Sequence, residues 1–403
     1  MTTHRKPGAA LFALTASALS LPIYAPVATA AAPTDVETGY RYSRYREDDL
    51  AVNKLNPGST PHRYAVDSHQ FEWVVPVAEK FALSAEAVYE TMSGASPWYS
   101  TPGGANGAAI QVMSGATIED QRVAVDAHAH LYQTDTQETF TLGFSRERDY
   151  LSVNAGTEVA WNFNEQRSTL SGGLGFSRDE ITPTDGGTAM YATRIVRDHR
   201  NTVNAVMGFS QVLTEQTVAQ VSLNVGYSRG YLSDPYKLVS ITGFALQPDT
   251  RPDRRSQGAL NLRLRQYIPL LAAAVHADYR YFADDWGVVA HTFELSWLQR
   301  LPLDFRLTPG VRYYSQGMAD FYRSYFGAMP ADGHYSSDYR LSPYGALSYR
   351  IGLDKEWEGW RFSLSGEWYR SSADYALGSV SPSVAAPGLV DFSVLSLAVG
   401  YRF

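Results

Sequence analysis

The last thirteen residues, 391–403, constrain this chain more than any other stretch. Leu395, Leu397, Val399, Tyr401 and Phe403 recur at every second position, with Val394, Ser396, Ala398, Gly400 and Arg402 between them. Successive side chains of a strand point to opposite faces, so one face is apolar and the other small or polar. A strand of this kind that ends the chain in an aromatic residue has the form of the closing strand of a transmembrane β-barrel.

The rest of the chain reads the same way. Alternating segments bounded by turn residues mark sixteen strands, at 36–46, 64–76, 81–92, 116–133, 138–147, 151–163, 168–178, 202–212, 217–228, 256–267, 271–283, 288–300, 303–316, 338–351, 360–371 and 392–403. The expected fold is all-β, a transmembrane antiparallel barrel of about sixteen strands over residues 31–403. An even strand count returns both termini to one side, expected to be periplasmic. Short turns at Thr134 to Gln137, Asn164 to Arg167, Thr214 to Gln216, Pro269 and Pro302 alternate with longer pieces at 47–63, 93–115, 179–201, 229–255, 317–337 and 372–391. A soluble sandwich has no reason to alternate so, whereas an outer-membrane barrel joins short periplasmic turns to long extracellular loops. Tyr401 and Phe403 also resemble the terminal signal that delivers such barrels to their assembly machinery. That machinery, outer-membrane lipid and lipopolysaccharide are therefore expected partners.

The chain start agrees. His4, Arg5 and Lys6 precede an apolar run from Ala9 to Leu21, and Ala28-Thr29-Ala30 has the small-x-small form of a cleavage site. Residues 1–30 read as a secretory signal peptide, since a membrane helix needs about 20 apolar residues and this run is broken by Pro22 and Pro26. Loss of Arg5 and Lys6 takes the net charge from −7 to about −9, and an acidic chain without a basic run is a poor nucleic-acid binder. The absence of Cys excludes thiol chemistry and Cys-bound metals. Tyr, at 27 residues, outnumbers Phe at 17, which suits interfacial girdles where a ring has one apolar and one wet side.

A recurring tripeptide supports that girdle. Tyr42-Ser43-Arg44, Phe144-Ser145-Arg146, Phe176-Ser177-Arg178 and Tyr227-Ser228-Arg229 each end an outward-running strand, and acids follow at Glu47, Asp48, Asp49, Glu147, Asp149, Asp179 and Glu180. The expectation is an aromatic ring beneath a salt-bridged rim. On the lumen face the same register puts Glu86, Glu90, Asp126, Glu158, Asp278, Glu294 and Glu367, with Arg122, Arg263, Arg265, Arg280, Arg306 and Arg312. Such charges require water or mutual pairing. Asp126, His128 and His130 fall at i, i+2 and i+4 on that face, and His276 with Asp278 forms a smaller pair. Two imidazoles and a carboxylate suit an open metal site, yet ligands along one strand lie about 6.5–7 Å apart, wide for one ion. The competing reading is a hydrated histidine pair in the wall.

Gly226-Tyr227-Ser228-Arg229-Gly230 has the Gly-x-Ser-x-Gly spacing but ends an alternating strand segment and opens no helix, and neither His-Glu-x-x-His nor a phosphate loop occurs, so no enzymatic activity and no cofactor are expected. The blocks Glu90-Thr91-Met92-Ser93-Gly94-Ala95-Ser96-Pro97-Trp98 and Val112-Met113-Ser114-Gly115-Ala116-Thr117-Ile118-Glu119-Asp120-Gln121-Arg122 resemble the domain-of-unknown-function 3570 family of bacterial outer-membrane barrels. The resemblance covers nearly the whole mature chain. It implies a Gram-negative outer-membrane protein, and possible partners in a small lipoprotein or a thioredoxin-like protein; it supplies no substrate. Both blocks flank the 93–115 loop, where Trp98, Tyr99, Ile110, Val112 and Met113 would be costly to leave in water together. Two Ser-Gly-Ala bends are expected to fold this loop inward as a constriction over the lumen. Function is then read two ways: a porin-like or transport channel, with Arg263, Arg265, Glu294 and Glu367 among its lumen charges, or a plugged barrel serving as scaffold or receptor.

Overall fold

The computed structural model describes residues 32–114, 118–188 and 192–403; the expected leader lies outside them. The first half of the chain forms β1 (Glu37–Glu47), β2 (Ala65–Ala78), β3 (Phe81–Gly94), β4 (Pro97–Pro102), β5 (Ala109–Met113), β6 (Ile118–Tyr132), β7 (Thr136–Arg146), β8 (Tyr150–Phe163), β9 (Ser168–Ile181) and β10 (Asp198–Thr214). The second half forms β11 (Thr217–Gly230), β12 (Leu238–Val239), β13 (Gln247–Pro248), β14 (Arg254–Ile268), β15 (Ala273–Asp284), β16 (Val289–Leu301), β17 (Phe305–Gln316), β18 (Tyr344–Trp357), β19 (Trp360–Ser372) and β20 (Phe392–Arg402). Sixteen of these close into one antiparallel barrel; β4–β5 and β12–β13 are two-stranded sheets in the loops.

Closure is made by the strand that the sequence singles out. β20 pairs with β19 on one side and with β1 on the other, Val399 lying opposite both Phe362 and Tyr40. Ser43 and Ser396 share a hydrogen bond of 2.7 Å across that seam, and Arg402 Nε donates to Glu37 Oε1 at 2.9 Å. A closed ring leaves no sheet edge unpaired, the condition for β-structure in lipid.

The period-two pattern decides which side meets which solvent. Phe71 and Trp73 on β2, Phe140, Leu142 and Phe144 on β7, Leu174 and Phe176 on β9, Leu260, Leu262 and Leu264 on β14, and Leu395 and Leu397 on β20 all stand exposed on the outer face. Each such side chain costs about 1.5–3 kcal/mol to leave in water, so a continuous belt of them requires an apolar surround. The aromatic of three of the four Tyr/Phe-Ser-Arg tripeptides stands exposed on this outer face, at Phe144, Phe176 and Tyr227.

Connections at one end span two to four residues, at 79–80, 133–135, 164–167, 215–216, 269–272, 302–304 and 358–359. Both barrel termini lie at this end. The other end carries the long segments, although two of its eight connections, 147–149 and 285–288, are short as well. One strand differs from expectation. The segment read as a strand over 338–351 begins pairing only at Tyr344, because Asp338 caps a 3-10 turn at Tyr339–Leu341 whose alternating apolar residues pack into the loops instead.

Candidate functional site

At the long-loop end the connections do not stand apart in solvent. The 95–114 stretch folds into the β4–β5 hairpin, whose Ser100 Oγ donates to the Ser324 carbonyl at 2.6 Å. Lys237 Nζ donates to the Pro97 carbonyl at 2.5 Å. Pro97 follows the third strand of the ring, Lys237 the ninth and Ser324 the thirteenth. Segments rooted that far apart on a closed ring meet only by crossing its mouth. Gly94 starts the crossing with φ +132, and a Cβ there would lie 2.3 Å from the Arg63 carbonyl oxygen, so the first Ser-Gly-Ala bend requires glycine. The second runs beyond Ser114, outside the described residues.

The crossing segments form a cap with its own core. Tyr45, Val66, Met92 and Val394, inward residues near the strand ends, pack with Trp286, Phe321, Tyr322, Tyr339, Leu341 and Val390. Because strand and loop residues share this core, the cap sits within the rim. Beside it lies a buried ion network. Arg251 bridges Asp249 at 2.7 Å and Asp338 at 2.8 Å, while Arg340 reaches Asp234 at 2.6 Å and also pairs with Asp338. Burial alone would push the Asp338 carboxyl up; Arg340, Lys237 and Arg251 together hold it well below the usual carboxylate range. Burial lowers the Lys237 ammonium from its ordinary value. Arg63 pairs with Glu47 at 2.7 Å and donates to the Gly388 carbonyl at 3.2 Å, pinning the 373–391 segment to the β1–β2 connection. Met113, expected in the constriction, is 3% exposed and packs with Leu50 and Ala95. Trp98 and Tyr99 are half-buried on β4, their rings edge to face at 5.6 Å.

Below the cap the wall is polar but uneven. From β7 to β11 the inward positions are largely Gly, Ser, Thr and Asn, including Thr141, Asn154, Gly156, Gly175, Ser177, Asn204 and Asn224, with Glu158 and, at the rim, the paired Asp179 and Arg200 as charged exceptions. From β14 to β19 charges are interspersed among the inward positions, and several pair along the wall. Arg265 lies 2.9 Å from Asp278, with Arg263 at 3.7 Å from the same carboxylate. Arg350, which no sequence motif marks, reaches Glu294 at 2.8 Å and Glu367 at 3.1 Å. These pairs remain partly exposed, as a hydrated wall requires.

Asp126, His128 and His130 face inward as expected, but hydroxyls occupy the imidazoles. His130 has Ser84 Oγ at 2.9 Å and Thr139 Oγ1 at 3.1 Å on its two nitrogens; His128 has Thr141 Oγ1 at 2.9 Å. Asp126 accepts from Asn154 at 3.4 Å. The imidazole centroids are 6.0 Å apart, and the three residues do not converge on a common point. His276 stands opposite Arg265 and beside Asp278, whose carboxylate the arginines hold. The double variant His128→Ala, His130→Ala should therefore leave both metal content and permeability unchanged, as elemental analysis and antibiotic uptake would read.

A family profile described as "Protein of unknown function (DUF3570)" matches residues 11–392. The chain belongs to this family. No curated protein sequence matches it. Among solved structures it is similar to CdiB from Acinetobacter baumannii, at 8% identity and a TM-score of 0.51, over 92% of this chain and 60% of that one. A bacterial polysaccharide outer membrane secretin is similar at 10% identity and TM-score 0.46, over 91% and 98% of the two chains. OmpT of Vibrio cholerae is similar at 7% identity and TM-score 0.44, over 91% and 97%. At such identities the likeness is one of fold. With its closed ring and apolar belt, this family member is a protein of the bacterial outer membrane. At the short-turn end Tyr401 packs on Trp360 at 4.6 Å and on Phe403 at 4.8 Å, forming part of its aromatic girdle.

The rim differs in one respect from the expected pattern of local salt bridges. Asp48 does pair with Arg370, Asp179 with Arg200 and Glu180 with Arg197. Glu147 and Asp149, however, turn away from Arg146 and are buried beside Asp120, each offering an oxygen within 4.8 Å of the others. Burial and the two neighbouring carboxyls push Glu147 up to about 9. Burial pushes Asp149 up to about 6, against the Tyr236 hydroxyl that donates to it. Sequence separation hid this cluster, since Asp120 lies across the ring from neither acid but more than twenty residues away in the chain.

Proposed function

We propose that this protein is a transport barrel whose passage is controlled at its capped end, with the short-turn end facing the periplasm. The observation that supports this reading is the cap: loops rooted on several sides of the ring meet across the mouth around a buried core, and the hairpin is hydrogen-bonded to two of them. Turns of two to four residues cannot cross the opposite mouth of a sixteen-stranded ring, so solute or a periplasmic partner can reach the polar wall from that side. A wall of hydrated charges of both signs on one side and small polar groups on the other suits passage of a polar solute. A small lipoprotein or a thioredoxin-like protein would be the kind of partner to engage the short-turn mouth.

Planar-bilayer conductance tests the reading. The wild-type barrel should conduct far less than an open sixteen-stranded pore, and deletion of Ser100 to Gly107, which removes the hairpin tip, should raise conductance and antibiotic permeability. A large, steady wild-type conductance that the deletion leaves unchanged would remove the gate. The buried core that the cap shares with the strand ends also supports the plugged-scaffold reading, under which the wild type and the deletion are both silent and a partner copurifies.

A further inference from the structure

We propose that Asp120, Glu147 and Asp149 form a binding site for a hard divalent cation of the calcium class at the loop-end rim. Three observations carry this. The three acids each direct one oxygen to a common point, all within 4.8 Å of one another, which is no more than about twice the calcium–oxygen distance of 2.3–2.6 Å. The donor set is oxygen alone, with neither imidazole nor thiolate, the set that suits a hard cation. Most telling is Glu147, which is only 9% exposed and whose carboxylate has no hydrogen-bond donor and no ion-pair partner among the described residues. The nearby cation that could have served it, Arg122, is committed to Glu90 at 2.7 Å and to Ser145 at 3.3 Å. A buried carboxylate aimed at two others and served by no donor is a ligand in want of a cation.

The site's position gives it a structural consequence. Asp120 belongs to the first turn-proximal part of β6, while Glu147 and Asp149 make the short β7–β8 connection. Asp149 also accepts from the Tyr236 hydroxyl, and Tyr236 belongs to the 231–253 segment of the cap. A cation here would fasten adjacent strands together and hold one root of the cap, whether or not the barrel conducts.

The test uses the full mature barrel, purified in detergent and stripped with a chelator, with calcium alone as titrant in calorimetry. The wild type should bind one calcium, and its heat-modifiable unfolding should shift to higher temperature on calcium addition. Glu147→Gln and Asp149→Asn should bind about tenfold more weakly or not at all while keeping heat-modifiable migration, since ligand charge sets affinity at such sites. Terbium should show luminescence sensitised by the adjacent tyrosine in the wild type, reduced in Tyr236→Phe. A stripped wild type that binds no calcium overturns the proposal even if every variant misfolds. So does calcium binding that Glu147→Gln leaves unchanged, which would place the ion on other loop acids.

Discussion

Asp338→Ala should open the mouth, turning a barrel of low conductance into one whose conductance approaches that of an uncapped ring. Asp338 is fully buried and accepts from both Arg251 and Arg340, so it joins the 231–253 and 317–343 segments of the cap. Removing one member of such a network leaves buried guanidinium charge undercompensated, a loss of about 3–5 kcal/mol. None of that loss falls on the sixteen-stranded ladder, whose hydrogen bonds run elsewhere. The barrel should therefore keep its heat-modifiable migration while the cap loosens. Bilayer recordings of refolded protein check this, and a variant that stays closed and fully folded would show that the ion network does not hold the cap.

Deleting Phe403 should separate assembly from stability. Its ring is 70% exposed at the membrane girdle and touches Tyr401, while its amide donates to the Val36 carbonyl at 2.9 Å. So few internal contacts mean that loss of the residue should change the refolded barrel by only about 0.5 kcal/mol. In cells, by contrast, the membrane-inserted fraction should fall sharply if this end is the signal that assembly requires. Quantitative fractionation beside in vitro refolding gives both readings. Equal insertion of wild type and deletion would mean that the closing strand is recognised by something other than its terminal aromatic.

The barrel was legible because its signal is local. Leu395, Leu397 and Val399 announce their face within five residues, and the outer belt repeats that statement strand after strand. The cap was legible only in outline. Trp98, Tyr99 and Met113 signalled that the 93–115 loop needs a packing partner, but nothing local named Ser324 or Lys237, which lie more than a hundred residues away. Tyr339 and Leu341 mimicked strand alternation while belonging to the cap core, since period two does not distinguish a strand from a short turn with two buried residues. The Asp126, His128 and His130 face was placed correctly, yet its hydrogen bonds depend on Ser84, Thr139 and Thr141 from the neighbouring strands. The Asp120, Glu147 and Asp149 cluster needed pairing of β6 with β7 before its members could be seen as neighbours.

The make-up of the cap core also fixes an order of events. Tyr45, Val66 and Met92 come from the first quarter of the chain, whereas Tyr339, Leu341, Val390 and Val394 come from its last fifth. Contacts of such sequence separation carry a large loop-closure entropy, and they become affordable only once β1 and β20 have already been joined. The mouth is thus expected to stay open during insertion and to shut last, so that a nascent barrel trapped before β1 joins β20 should be uncapped.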